Sequence, residues 1–181
     1  IEELSGDTTR EISKITFDSR EAAPGTLFVA VKGSNADGHS FIPQVVEAGA
    51  AAVVCEEMPA MRESGVTYIK VPNSHVALGY IASAWYDNPS GALRLVGVTG
   101  TNGKTTTATL IYEMARLMGH KAGLLSTVVN LIDEEKVEAH QTTPDAITIN
   151  ALLRRMVDAG CTYCAMEVSS HAAEQHRIAG L

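Results

Sequence analysis

A glycine-rich turn between an apolar strand and a helix constrains this chain more than any other segment. The run Val96-Gly97-Val98-Thr99-Gly100-Thr101-Asn102-Gly103-Lys104-Thr105-Thr106-Thr107 is entered by a short apolar stretch, Leu93 to Val98. It is left by a helical pattern, Thr105 to Met118. Strand, glycine turn and helix in that order make a phosphate-binding loop. The glycines let backbone N–H groups turn inward around an anion, and the helix N-terminus adds favourable dipole charge. In such a loop Lys104 reaches the terminal phosphates and the Thr105 hydroxyl ligates Mg2+. The common spacing G-x-x-x-x-G-K-[ST] asks for glycine at position 98, where this chain has Val98. Glycines at 97, 100 and 103 make a shorter, specialised loop, read here as a nucleoside triphosphate site.

The rest of the chain is organised around that loop. Up to about residue 88, strands are expected at Ile15–Phe17, Thr26–Val31, Ala51–Cys55 and Thr67–Val71. Helices are expected at Phe41–Ala48, which Gly49 ends, and at Ser74–Trp85. The turn cluster Asp87-Asn88-Pro89-Ser90-Gly91 marks the expected domain boundary, giving domains 1–88 and 89–181. Beyond it, Leu110, Ile111, Met114, Leu117 and Met118 fall at helical spacing and are expected to form one buried stripe. A strand at Lys121–Ser126 follows, then a hairpin, Val128–Ile132 with Lys136–His140. A helix is expected over Asp145–Ala159, with Ile147, Ile149, Leu152, Leu153, Met156 and Val157 as its apolar positions. Thr162–Val168 reads as a buried strand. Alternating β and α elements, with phosphate at a strand's carboxyl end, imply α/β architecture. The expectation is a small N-terminal α/β domain, then the first part of a mostly parallel, doubly wound P-loop domain. Only about three strands of that second sheet are expected before Leu181, which suggests an N-terminal piece of a longer protein.

Composition removes several function classes. A net charge of −7 over 181 residues argues against a nucleic-acid partner, because phosphate backbones are held by clustered Lys and Arg. No apolar stretch approaches the roughly 20 residues that span a bilayer, so no membrane partner is expected, and a monomer in the cytoplasm is. No secretory leader is visible, although the chain opens at Ile1. Cys161 and Cys164 have C-x-x-C spacing but no second ligand pair, so packing is the expected role. The six histidines form no metal-ligand spacing.

A second constellation closes the last strand: Glu167-Val168-Ser169-Ser170-His171. An acid at a strand end opposite a phosphate loop is placed to help hold Mg2+. Gln141-Thr142-Thr143-Pro144-Asp145 precedes a helix and reads as its cap, with Thr143 capping, Pro144 at the first helical position and Asp145 facing the dipole. Whether Thr142 and Thr143 also face a cleft is left open by spacing alone.

These motifs together resemble the Mur ligases, which add amino acids to the bacterial cell-wall precursor. Gly100-Thr101-Asn102-Gly103-Lys104-Thr105-Thr106 is similar to that family's ATP loop, which folylpolyglutamate and cyanophycin synthetases share. Asp18-Ser19-Arg20 with Pro24-Gly25-Thr26-Leu27-Phe28-Val29-Ala30 resembles the family's N-terminal UDP-binding region. Thr142-Thr143-Pro144-Asp145 and Met166-Glu167-Val168-Ser169-Ser170-His171, with Gln175-His176-Arg177, resemble its MurE branch, which adds the third peptide residue. The resemblance runs from about residue 15 to the end. It implies that Phe17 and Ser19, with Ser34, Asn35 and Ala36, contact the UDP and its sugar. Gly100, Thr101, Asn102, Gly103, Lys104, Thr105 and Thr106 would hold the ATP phosphates, with Thr105 and Glu167 on Mg2+ and Lys104 and Glu167 as catalytic groups. Thr142, Thr143, Ser169, Gln175 and Arg177 would bind the muramoyl-dipeptide. Gln141 stands where some relatives carry Asn.

The implied activity is an ATP-dependent amide ligase using UDP-N-acetylmuramoyl-L-alanyl-D-glutamate and a free amino acid. Family members also use a carbamylated lysine and an amino-acid-selecting domain, both placed after residue 181, so this piece alone is expected to bind without turning over. Rival readings are a folate or cyanophycin ligase and a regulatory P-loop NTPase. The Asp18-Ser19-Arg20 segment and the Glu167–His171 run count against the first. The second needs no UDP-sugar domain.

Overall fold

The computed structural model describes residues 1–33, 36–139 and 141–181. The chain divides into two compact units, Ile1–Leu78 and Gly79–Leu181. The first unit is built on β1 (Glu3–Ser5), β2 (Lys14–Thr16), β3 (Thr26–Val29), β4 (Ala52–Cys55) and β5 (Thr67–Lys70). These lie in the order β1-β5-β4-β3-β2. Strands β2 to β5 are parallel, and β1 adds to β5 antiparallel. The apolar runs in β3 and β4 are buried almost throughout, as strands in a parallel sheet should be. Phe28, Val53 and Tyr68 pack against Ile42 and Val45 of α1 (Ile42–Glu47). A 3-10 turn, Gly38–Phe41, leads into α1, and α2 spans Ser74–Trp85. Strand β1 was not expected: Glu-Leu-Ser carries too little apolar signal to mark a strand.

The second unit runs β6 (Arg94–Val98), α3 (Lys104–Leu117), β7 (Ala122–Leu125), β8 (Asn130–Ile132), β9 (Glu135–Val137), α4 (Ala146–Asp158), β10 (Tyr163–Glu167) and α5 (Ser170–Glu174). Its sheet order is β6-β10-β7-β8-β9. Strands β6, β10 and β7 are parallel, while the hairpin β8–β9 continues the sheet antiparallel. Among the described residues the sheet therefore has five strands, where about three were expected, because the hairpin joins it rather than standing apart; His140, the expected end of that hairpin, lies outside the described residues.

Helices cover both faces, and the two-residue period of the strands sorts the side chains between them. Leu125, Cys164 and Met166 pack with Ile149, Leu153 and Met156 of α4. Ala122, Leu124 and Ala165 pack with Ala108, Tyr112 and Ala115 of α3. This corrects the expected stripe on α3. Leu110, Met114, Leu117 and Met118 are exposed, and only Ile111 of that set packs partly against the core. Helix α3 has two apolar arcs, and the one carrying alanines lets the helix axis lie closest to the sheet, so that one is buried. The cap of α4 also differs from expectation. Asp145, not Thr143, is the N-cap, and its carboxylate accepts from the Thr148 N–H at 3.0 Å. Pro144 thus precedes the cap.

All three cysteines are free and buried, in keeping with a packing role. Burial raises each thiol pKa, that of Cys55 to about 11.

Helix α4 approaches β7 closely at Gly123, where an added Cβ would lie 2.2 Å from the Met156 sulfur. Met156 is itself fully buried. Gly123→Ala is expected to overpack this contact and lower unfolding free energy by about 1–3 kcal/mol. Urea denaturation of the variant, followed by circular dichroism, checks this; an unchanged midpoint would show that Met156 relocates freely.

Candidate active site

The phosphate loop is assembled by backbone geometry. Strand β6 ends at Val98, and Gly100 (φ 144°) and Gly103 (φ 78°) take left-handed conformations that side chains disfavour. Gly103 is the N-cap of α3, and the first N–H bond inside that helix is Thr107 to the Gly103 carbonyl at 2.9 Å. The N–H groups of Lys104, Thr105 and Thr106 consequently have no partner within the helix and project from its positive end. The Lys104 ammonium bends back over the turn and donates to the Gly100 carbonyl at 2.7 Å.

Strand register brings Glu167 to this loop. In the parallel β6–β10 pair Glu167 stands opposite Val98, the last strand residue before the turn, and the Val168 N–H donates to the Val98 carbonyl at 2.8 Å. Two residues on from Ala165, Glu167 shares the sheet face that α3 covers. Its side chain is 1% exposed. One carboxylate oxygen accepts from the Thr127 N–H at 2.8 Å and the other lies 3.2 Å from the Thr127 hydroxyl. Among the described residues no Lys, Arg or His forms an ion pair with it. A buried anion without a counter-charge is costly, so the donor set fits a divalent cation. Among the described residues no cluster of three His, Cys, Asp or Glu side chains could hold a metal; a cation here would take hydroxyl and phosphate oxygens beside Glu167.

The remaining nominated residues of this unit form one network with Glu167. Thr143 is buried, donating to the Glu167 carbonyl at 2.8 Å and accepting from the Ser169 N–H at 3.0 Å. The Ser169 hydroxyl caps α5 by accepting from the Ala172 N–H. That helix ends with the Arg177 N–H on the Ala172 carbonyl and the His176 N–H on the Ala173 carbonyl, with His176 left-handed at φ 53°. This paired closure is a Schellman ending. It throws Arg177 back toward the threonines, where its guanidinium donates to the Thr143 carbonyl at 2.7 Å and to the Gln141 side chain at 2.9 Å. Both Nε and an Nη also donate to the Gln175 side-chain oxygen. The Thr142 hydroxyl lies 3.1 Å from that of Thr127. Thr127 escaped sequence reasoning. Its one signal is a hydroxyl pair, Ser126-Thr127, just past the carboxyl end of β7, the sheet edge where ligands of open α/β folds bind.

In the first unit, Phe17, Ser19 and Ala36 line one groove of about 560 Å3, with Asp18, Arg20 and Phe41 beside them. Ser34 and Asn35 lie outside the described residues. A larger cavity of about 960 Å3 in the same unit is lined by Ile42, Val46 and Tyr68 and contains none of the nominated residues, so the candidate ligand groove is the smaller one. Asp18 shapes its wall. The carboxylate accepts from the Arg20 side chain and from the Arg20 N–H, capping a 3-10 turn. Those bonds, the guanidinium one foremost, hold the Asp18 pKa down at about 2.

Residues 11–86 match the family description "Mur ligase family, catalytic domain", and residues 98–181 match "Mur ligase middle domain". The chain belongs to the Mur ligase family. It is 58% identical over 179 residues to the UDP-N-acetylmuramoyl-L-alanyl-D-glutamate--2,6-diaminopimelate ligase of Cytophaga hutchinsonii, covering 98% of this chain and 37% of that protein. The like-named ligase of Clostridium perfringens is 39% identical over 180 residues, 99% of this chain and again 37% of the relative. The chain thus spans little more than a third of these Mur ligases. A solved structure of a ligase of the same name superposes with a TM-score of 0.73 at 25% identity, covering 94% of this chain and 34% of that one. No helix among the described residues is long and apolar enough to cross a membrane.

The Asp18 pairing has a pH signature. An unfolded aspartate titrates near 3.9, above the folded value of about 2. The stabilisation is therefore complete above about pH 4 and is lost as pH falls toward 2. Asp18→Asn is expected to flatten the pH dependence of thermal stability between about pH 4 and pH 2, relative to the unsubstituted protein. Equal slopes would show that the pair does not contribute.

Proposed function

We propose that the parent protein is an ATP-dependent amide ligase. It joins an amino acid to UDP-N-acetylmuramoyl-L-alanyl-D-glutamate through an acyl phosphate, in the cytoplasm. The observation that carries this reading is the unbroken network from Glu167, in register with the phosphate-loop strand, through Thr143 and Ser169 to Arg177. In this reading a triphosphate and a substrate carboxylate would meet at the sheet edge that this network ties together. Residues 1–88 would hold the UDP-sugar, through Phe17, Ser19, Ser34, Asn35 and Ala36, and residues 89–181 begin the ATP-binding domain. The relatives' names supply the substrate class, and 2,6-diaminopimelate is the first amine to test.

The chemistry follows from the inertness of a carboxylate. Attack by its oxygen on the γ-phosphorus of ATP forms an acyl phosphate and expels ADP. The amine nitrogen then attacks the acyl carbon, a proton leaves that nitrogen, and phosphate departs. Lys104 and the free N–H groups of Lys104, Thr105 and Thr106 neutralise phosphate charge as it shifts, the main resource of phosphoryl transfer. Thr105 and Glu167 would hold Mg2+, which when bound draws negative charge from the phosphate oxygens. Arg177 spends four of its five N–H donors on Gln175, Gln141 and the Thr143 carbonyl, so a substrate carboxylate would meet its charge and the one remaining N–H. Thr143 acts here by locking the Glu167 and Ser169 backbones together, and Thr142 by facing the dipeptide.

Phosphate release by the full-length protein tests this reading. With Mg·ATP, release is expected to require both the UDP-dipeptide and one amine, with meso-diaminopimelate compared against L-lysine. Lys104→Ala is expected to lower turnover by about 100-fold or more. Release that ignores the UDP-dipeptide would favour a regulatory NTPase, and an unaffected Lys104→Ala variant would overturn the role of the loop lysine.

A further inference from the structure

We propose that Thr127 is a positioning residue that sets the orientation of the Glu167 carboxylate for the metal. Both oxygens of that carboxylate are met by this one residue, its N–H at 2.8 Å and its hydroxyl at 3.2 Å. A carboxylate only accepts, and a threonine hydroxyl has a single proton. That proton goes to Glu167, so the Thr142 hydroxyl, 3.1 Å from Thr127, donates in turn to the Thr127 oxygen. The two hydroxyls form a directed relay, Thr142 to Thr127 to Glu167, and the two-point grip on the carboxylate fixes its plane. One lone pair on each oxygen stays free for a cation. Partners of this kind orient metal ligands and typically change metal affinity by about 10–100-fold when removed.

A purely structural tie between the ends of β7 and β10 is the competing explanation, and burial separates the two. Glu167 is buried, whereas Thr127 is exposed, so its hydroxyl can be deleted without opening a core cavity. Thr127→Val keeps the shape and the backbone N–H bond and removes only the relay.

The inference rests on the reading of Glu167 as a metal ligand, and its test reports on that reading separately. Binding of Mn2+ to the full-length protein in the presence of ADP is followed by electron paramagnetic resonance. The variants are Thr127→Val, Thr127→Ser and Glu167→Gln. Thr127→Val is expected to weaken Mn2+ binding about 10-fold with its melting temperature kept, and to raise the Mg2+ concentration needed for half-maximal turnover. Thr127→Ser, which restores the hydroxyl, is expected to bind as the unsubstituted protein does. If Glu167→Gln loses Mn2+ and Thr127→Val does not, the positioning role is overturned while the metal reading stands. If Glu167→Gln binds Mn2+ undiminished, the metal reading falls and this inference falls with it.

Discussion

The site depends on one constraint: a buried carboxylate held at the carboxyl end of β10 by strand register. Because β6 and β10 are parallel and Glu167 pairs with Val98, the acid and the start of the phosphate loop cannot move apart without breaking the ladder. Because side chains alternate, the acid emerges on the face covered by α3, the helix whose N-terminus forms the loop. A register slip of one residue would turn Glu167 to the opposite face, toward α4. The apolar alternation along β7 and β10 that fills the two cores is thus also what aims the acid.

The same economy appears in the segment after β10. Ser169 caps α5, and the Schellman closure around His176 reverses the chain within a few residues. Arg177 thereby reaches the Thr143 carbonyl, 34 residues away in sequence. Its guanidinium is anchored by Gln175 on two nitrogens, which restricts rotation about a long side chain before any ligand arrives. Pre-ordering of this kind lowers the entropy lost on binding.

Much of this was legible in the sequence because its signals are local. The glycine spacing marks the loop, short continuous apolar runs mark β3, β4, β7 and β10, and an acid followed by hydroxyls marks the strand end. What escaped depends on tertiary contact. The choice between the two apolar arcs of α3 is made by how closely Ala108 and Ala115 let the helix approach the sheet, and helical spacing alone does not distinguish that arc from the one carrying Leu110 and Met114, which faces solvent. Pro144 suggested that Thr143 was the cap, whereas the Thr143 hydroxyl is held by Glu167 and Ser169, partners more than 20 residues distant. Thr127 carried no periodic signal, only the hydroxyl pair it forms with Ser126 past the end of β7. Its role follows only from β7 lying beside β10.

The central claim is that one sheet edge holds the metal, the triphosphate and the dipeptide around Glu167. Its most direct test is a crystal structure of the full-length protein with Mn2+, a non-hydrolysable ATP analogue and UDP-N-acetylmuramoyl-L-alanyl-D-glutamate. The account predicts an anomalous Mn2+ peak within coordination distance of Glu167 and Thr105, with the γ-phosphate between that ion and the D-glutamate carboxylate. A peak away from Glu167, or a dipeptide bound away from Arg177, would contradict it.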